Sequence, residues 1–331
     1  MKFCFFHIIT FLMLVILATN AETLPPQLYW KSMLPNTPMP KAITNLLHPS
    51  GYWSEEKATW VDVGKGGVDV GVRKGYNEGT GSGSDVNVGV GHSDSPFDYL
   101  YAASETQLHD KPNVALFFLE NDLHHGTKLN LQFIETNLNN EAKFLPKQVA
   151  NSIPFSSNKV EYILNKLNIK KGTKGAQIVK NTISECEEHG IKGEEKSCVT
   201  SLESMVDFTA TKLGKNVEAV STEVKKESGE LEEYVIAKGV KRLGEKNKAV
   251  VCHKENYPYA VFYCHKTDTT KVYSVPLEGV DGNRVKVVAA CHTDTSQWNP
   301  KHLAFQVLKV QPGTVSICHF LPQDHVVWVS K

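Results

Sequence analysis

Four Cys-His dipeptides constrain this chain more than any other feature. Cys252-His253, Cys264-His265, Cys291-His292 and Cys318-His319 all fall in the last 80 residues. Ten residues separate the first dipeptide from the second, 25 the second from the third and 25 the third from the fourth, and Trp328 follows after eight more. On a β-strand, neighbouring side chains point to opposite faces. Each dipeptide can then send its cysteine to one face and its histidine to the other. Disulfides on the cysteine face would leave four imidazoles on a rigid support, which is what a metal site requires. Three chemistries compete. A Cys/His zinc site would use the thiolates themselves, but the short Cys-x2–4-Cys spacing of structural zinc sites is missing. Disulfides with incidental histidines are the second. The third is a metal held by imidazoles and supported by disulfides; all-nitrogen ligation suits copper or zinc, and Cu(II) heads the affinity order.

The N-terminus sets the redox compartment. Residues 1–21, MKFCFFHIITFLMLVILATNA, combine Lys2, an apolar stretch from Phe5 to Leu17 and a small Ala21, the three-part pattern of a cleaved secretory signal. The mature chain is expected to begin near Glu22, without Cys4 and His7. Six cysteines remain: Cys186, Cys198, Cys252, Cys264, Cys291 and Cys318. An even number in a secreted chain points to disulfides, with about 15 connectivities open to six cysteines. A local bridge between Cys186 and Cys198 is one candidate. Asn256-Tyr257-Pro258 marks a hairpin bend that could set Cys252 opposite Cys264. Lys plus Arg and Asp plus Glu are each 36, and a net charge of zero argues against a nucleic-acid partner. No apolar run after residue 21 approaches the ~18–20 residues that span a bilayer, so no membrane partner is expected after signal cleavage.

Three regions follow the signal. Residues 22–60 hold Pro25, Pro26, Pro35, Pro38 and Pro40, which exclude a long helix and suggest an extended segment, together with Trp30, Trp53 and Trp60. Residues 61–92 carry ten of the 23 glycines and a degenerate repeat, Val61-Asp62-Val63-Gly64, Val68-Asp69-Val70-Gly71 and Val86-Asn87-Val88-Gly89. Glycine weakens a sheet, so this region reads as a flexible spacer rather than a wall-adhesive repeat; one Asp per repeat is too few oxygens for calcium. Residues 93–331 read as a folded α+β domain, β-rich toward the C-terminus. Strands are expected at 113–118, 128–133, 249–253, 260–265, 272–275, 285–290, 304–310 and 315–320. Leu202, Met205, Phe208 and Leu213 have helical spacing, with Ser201 as N-cap and Gly214 as stop. The Lys/Glu-rich stretch 225–248 reads as a solvated surface with helix or edge-strand character.

The spacing CH-x10-CH-x25-CH-x25-CH-x8-W resembles the signature of the plant BURP-domain family. Leu116-Phe117-Phe118-Leu119-Glu120-Asn121-Asp122-Leu123-His124 is similar to the family's domain-opening element. Tyr29-Trp30-Lys31 followed by Leu34-Pro35-Asn36-Thr37-Pro38-Met39-Pro40 resembles its segment after the signal, and the Gly-Val repeats resemble those of the dehydration-responsive subgroup. The resemblance implies a disulfide-stapled domain in a secreted protein of the cell wall or apoplast (another secretory compartment such as the vacuole being the alternative). It implies a role in stress or development and contact with a wall component or a peptide substrate. It also implies copper, as Cu(II) in one or two ions, on His253, His265, His292 and His319, with the motif cysteines in disulfides. His124 is a weaker ligand candidate, and His125, His302 and His325 are weaker still. Some members are copper-dependent peptide cyclases, which crosslink side chains of a core peptide in their own chain using dioxygen. Such cores begin with Gln and contain Trp or Tyr. The stretch 134–185 holds no Trp and only Tyr162, which leaves Gln27-Leu28-Tyr29-Trp30 as the candidate core. The sequence therefore favours a non-catalytic wall protein, with cyclisation in its own or another chain as the alternative.

Overall fold

The computed structural model describes residues 25–48, 117–132, 142–224, 231–245 and 248–331, with the strand backbone of 57–64, 67–74 and 87–88. The signal segment and the first four residues, Asn113 to Leu116, of the strand expected at 113–118 lie outside the described residues. In chain order the elements are α1 (Pro26–Met33), α2 (Lys41–Thr44), β1 (Lys57–Gly64), β2 (Gly67–Lys74), β3 (Asn87–Val88), β4 (Phe118–Leu119), β5 (Lys128–Gln132), α3 (Lys147–Ser152), α4 (Val160–Lys166), α5 (Lys174–Glu187) and β6 (Glu194–Val199). There follow α6 (Leu202–Leu213), β7 (Val217–Val220), β8 (Leu231–Ile236), β9 (Lys241–Leu243), β10 (Ala249–Lys254), β11 (Phe262–Thr267), β12 (Thr270–Gly279), β13 (Arg284–His292), α7 (Leu303–Leu308), β14 (Ile317–Phe320) and β15 (Val326–Ser330).

The α+β class and the C-terminal bias to strands hold, with three local corrections. The proline-rich segment is not extended throughout: Pro26 opens α1 in the first turn, where a missing N–H costs nothing, and Pro40 precedes α2. In the glycine-rich region the repeat pairs with itself as an antiparallel ribbon, Val61 against Val70, Asp62 against Asp69 and Val63 against Val68. The strand expected at 304–310 is the short helix α7. His302 caps it, its Nδ1 accepting the Ala304 N–H at 3.2 Å, and Leu303, Ala304 and Phe305 are buried while Val307 faces out. Around α6 the expectation holds: Ser201 and Ser204 cap each other's backbone N–H at 3.1 and 3.2 Å, and Gly214 ends the helix at φ 80°.

Two antiparallel sheets stack. The first has the order β6-β11-β10-β15-β7; the second has the order β4-β14-β13-β12-β8-β5, with β9 also on β12. Alternation along the strands sorts the layers. Ala249, Val251, Val327 and Val329 of the first sheet meet Val272, Val288 and Ala290 of the second. The opposite face of the first sheet, with Val250, Phe262 and Trp328, is covered by α1, α2 and α6 through Trp30, Leu34, Ile43, Leu202 and Met205. A satellite core under α3–α5 gathers Ile163, Leu164, Val179 and Ile183 around Tyr257 and Tyr259 of the β10–β11 connection. The outer face of the second sheet packs Phe118, Tyr234, Ile236, Leu277 and Phe320. Gly244, at φ 62°, passes so close to β15 that a Cβ there would meet Val329 Cβ at 2.5 Å.

Trp30 is the N-terminal anchor. It is 2% exposed, its ring centroid lies 5.1 Å from that of Trp328, and its Nε1–H is donated to Thr37 O at 2.8 Å. Tyr29 beside it donates its hydroxyl to Asp207 of α6. Trp30→Ala is expected to cost about 3–5 kcal/mol of stability, whereas Leu28→Ala, at a half-exposed position, should cost less than about 0.5 kcal/mol. Denaturant unfolding of the two variants checks the contrast; equal midpoints would mean that the N-terminal helix is not part of the core.

Candidate metal centre

Two strand ladders build the site. In β10–β11, Cys252 stands opposite Cys264, His253 opposite Tyr263 and Val251 opposite His265. In β13–β14, Cys291 stands opposite Cys318, His292 opposite Ile317 and Ala290 opposite His319. Both ladders therefore repeat one arrangement: cysteines directly paired on one face, histidines diagonal to each other on the opposite face. Disulfides join Cys252 to Cys264 and Cys291 to Cys318, with Cα atoms 4.0 Å apart in each, and a third joins Cys186 to Cys198. With the six described cysteines paired, none of the described residues leaves a thiolate for the Cys/His zinc alternative. The sulfurs point away from the sheet–sheet interface, into the helix-covered core on one side and the outer core of the second sheet on the other.

The histidines point inward and meet. His253, His265, His292 and His319 are each 1–2% exposed. His253 Nε2 lies 3.2 Å from His265 Nε2, and His292 Nε2 lies 3.4 Å from His319 Nε2. Across the sheets the ring centroids of His253 and His319 are 6.1 Å apart and those of His265 and His292 are 6.4 Å apart, the latter pair stacked. Each Nδ1 faces outward onto the protein: His253 to His325 Nδ1 at 3.0 Å, His265 to Glu194 Oε1 at 3.1 Å, His292 to Thr270 Oγ1 at 3.3 Å and His319 to the Phe320 carbonyl at 3.3 Å. Thr270 is in turn 2.6 Å from Thr267 Oγ1. Trp298 and His302 flank the second pair; the Trp298 ring is 5.1 Å from His292 and 4.6 Å from His302.

Burial, reinforced by the neighbouring rings, holds the His253 and His292 imidazoles well below the ordinary histidine range. Burial likewise takes His319 down to about 3 and lowers His325. Neutral imidazole is the ligating form. Among the described residues no group of three or more His, Cys, Asp or Glu side chains stands assembled around one point; the rings meet two by two. Each pair nevertheless fits a nitrogen-ligated metal. Two bonds of about 2.0–2.1 Å at a tetrahedral angle place their nitrogens about 3.3 Å apart, and the Nε2 separations of 3.2 and 3.4 Å match that spacing. Nδ1 atoms turned outward toward protein polar groups are the usual second layer of such sites.

Of the weaker candidates, His325 and His302 stand beside the four, and the rest lie elsewhere. His124 and His125 sit in an exposed turn on the second sheet, where His124 contacts Thr127 and His125 Nδ1 meets the Ile236 carbonyl at 3.1 Å. His124 is not brought to the four. Gln27, Leu28, Tyr29 and Trp30 form the first turns of α1 on the far face of the first sheet, and Tyr162 is exposed on α4. Two residues at the site, Glu194 and Thr270, escape a reading of the sequence. Glu194 reaches His265 because β6 pairs with β11, a neighbour relation with no local signal; Thr270 opens the strand expected to begin only at Val272.

Comparison with known proteins supplies the family. The BURP domain model matches residues 116–330. The BURP domain protein RD22 of Arabidopsis thaliana is 44% identical over 94% of this chain and 95% of its own length. BURP domain-containing protein 5 of Oryza sativa is 42% identical over 92% of this chain and 87% of its own, and Arabidopsis BURP domain protein USPL1 is 38% identical over 67% and 82%. A domain match over most of the chain and an RD22-like relative aligned nearly end to end make this chain a member of the plant BURP-domain family, in the subgroup that its N-terminal motif and repeats resemble.

Proposed function

We propose that the chain is a secreted protein of the plant apoplast or cell wall that holds copper, in one or two ions, between its two sheets, and acts in stress or development. The observation that carries the reading is the meeting of four buried imidazoles two by two through Nε2, with each Nδ1 turned outward toward a protein group. Three disulfides and the signal-like N-terminus support an oxidising, extracellular setting. Among the described residues no helix is long and apolar enough to cross a membrane.

His253, His265, His292 and His319 are the ligands in this reading. Bound copper would supply one-electron redox chemistry, which zinc lacks. The protein's own part is to fix ring orientation through Glu194, Thr270, His325 and the Phe320 carbonyl, and to exclude water with the valine layer and Trp298. Burial of Trp30 against Trp328 supports a holding role over self-cyclisation at Gln27–Trp30, since the indole is committed to the core. Oxidative cyclisation of a separate peptide is the alternative activity.

Replacing all four motif histidines by alanine should abolish stoichiometric copper in metal analysis of the mature protein; a variant that still carries copper would refute the ligand set. After incubation with copper in air, the fragment 22–60 should keep its mass, and loss of two hydrogens mapped to Gln27–Trp30 would restore self-cyclisation. A third outcome concerns pH. In the folded protein the imidazoles of His253, His292 and His319 titrate below their unfolded value, which is about 6.5. Unfolded chains therefore bind more protons as pH falls through that value. Stability of the metal-free protein is then full above pH ~6.5 and declines below it. Denaturant midpoints measured from about pH 7.5 to about pH 5 should fall accordingly; a flat profile would mean that these rings are not buried neutral.

A further inference from the structure

Glu194 places a carboxyl group in the interior beside the first imidazole pair. Its side chain and that of His265 are each 1% exposed. Besides lying 3.1 Å from His265 Nδ1, Glu194 Oε1 is 3.5 Å from the Tyr263 hydroxyl, which donates to it, and Oε2 accepts the Ile191 N–H at 3.1 Å. The register puts it there: Glu194 stands opposite Thr267 and Lys196 opposite His265, so Glu194 is the diagonal neighbour of His265 on the inner face.

We infer that Glu194 is the positioning residue of the centre: it holds His265 with Nε2 toward His253 and makes that pair the first to take up a divalent ion. This rests on the copper reading above. A carboxyl oxygen 3.1 Å from Nδ1 favours the proton there and leaves the lone pair on Nε2, the atom that faces His253. The carboxylate also offsets a dication's charge in a dry interior, where an uncompensated ion is expensive. What faces Nδ1 of His292 and His319 is a hydroxyl and a carbonyl, both neutral. The first pair gains a second carboxylate at longer range, since His325, in contact with His253, has its Nε2 3.8 Å from Asp324 Oδ1.

The test uses the full mature chain and Cu(II) alone. With less than one equivalent added to wild type, paramagnetic broadening should erase the ring resonances of His253 and His265 before those of His292 and His319; the reverse order overturns the inference, and this arm needs no variant. Glu194→Gln keeps an acceptor but loses the charge, and should weaken the first equivalent by about 10–100-fold while the second stays within about twofold. Equal weakening of both equivalents, or none of either, overturns it. Nitrogen-15 shifts of the metal-free protein should report His265 as the Nδ1–H tautomer, shifting toward a mixture in Glu194→Ala. If wild type binds no Cu(II), the copper reading fails, and the tautomer still decides the positioning role: an Nε2–H His265 refutes it.

Discussion

The register of two cystine-bridged ladders is the constraint on which the rest depends. In a strand the side-chain period is two, so a slip of one residue exchanges the faces. Cys252 against Cys264 and Cys291 against Cys318 fix both ladders in the register that sends every motif histidine inward. A one-residue slip would put the sulfurs between the sheets and the imidazoles among the outer cores. Neither group could then do what it does here.

The layers around the ladders protect that arrangement. Four buried rings between two sheets replace hydration with ring contacts and with a protein polar group near each Nδ1. Valine and alanine from both sheets continue the same layer and keep it dry. Behind the first sheet, Trp328 of β15 takes Trp30 from the far N-terminus, so a segment almost 300 residues upstream braces the strand next to the Cys252 ladder. The N-terminal element is thus part of the domain that carries the site, although a glycine-rich region separates them in sequence.

Much of this arrangement is legible in the residues themselves. The Cys-out, His-in logic follows from adjacency of the two residue types, and the hairpin bend at Asn256-Tyr257-Pro258 points to Cys252 facing Cys264. The partnership of Cys291 with Cys318 is not legible, because the connection between them contains α7, whose β-branched and aromatic residues imitate a strand until His302 is seen as its cap. Helices α3–α5 are easily overlooked beside so many strands, although in α5 Thr173 as N-cap with Ala176, Val179 and Ile183 has helical spacing. Glu194 carries no local signal, since its meaning comes from sheet order. The proline-rich start misleads in the other direction: prolines that forbid a long helix still permit a short one that begins on Pro26.

X-ray absorption of the copper-loaded mature protein tests the central claim most directly, since it reads which atoms of the dipeptides face the metal. The expected first shell is imidazole nitrogen at about 2.0 Å with ring scattering behind it and no sulfur. A sulfur shell near about 2.3 Å would mean that the cysteines, not the histidines, turn toward the interior, and would contradict it.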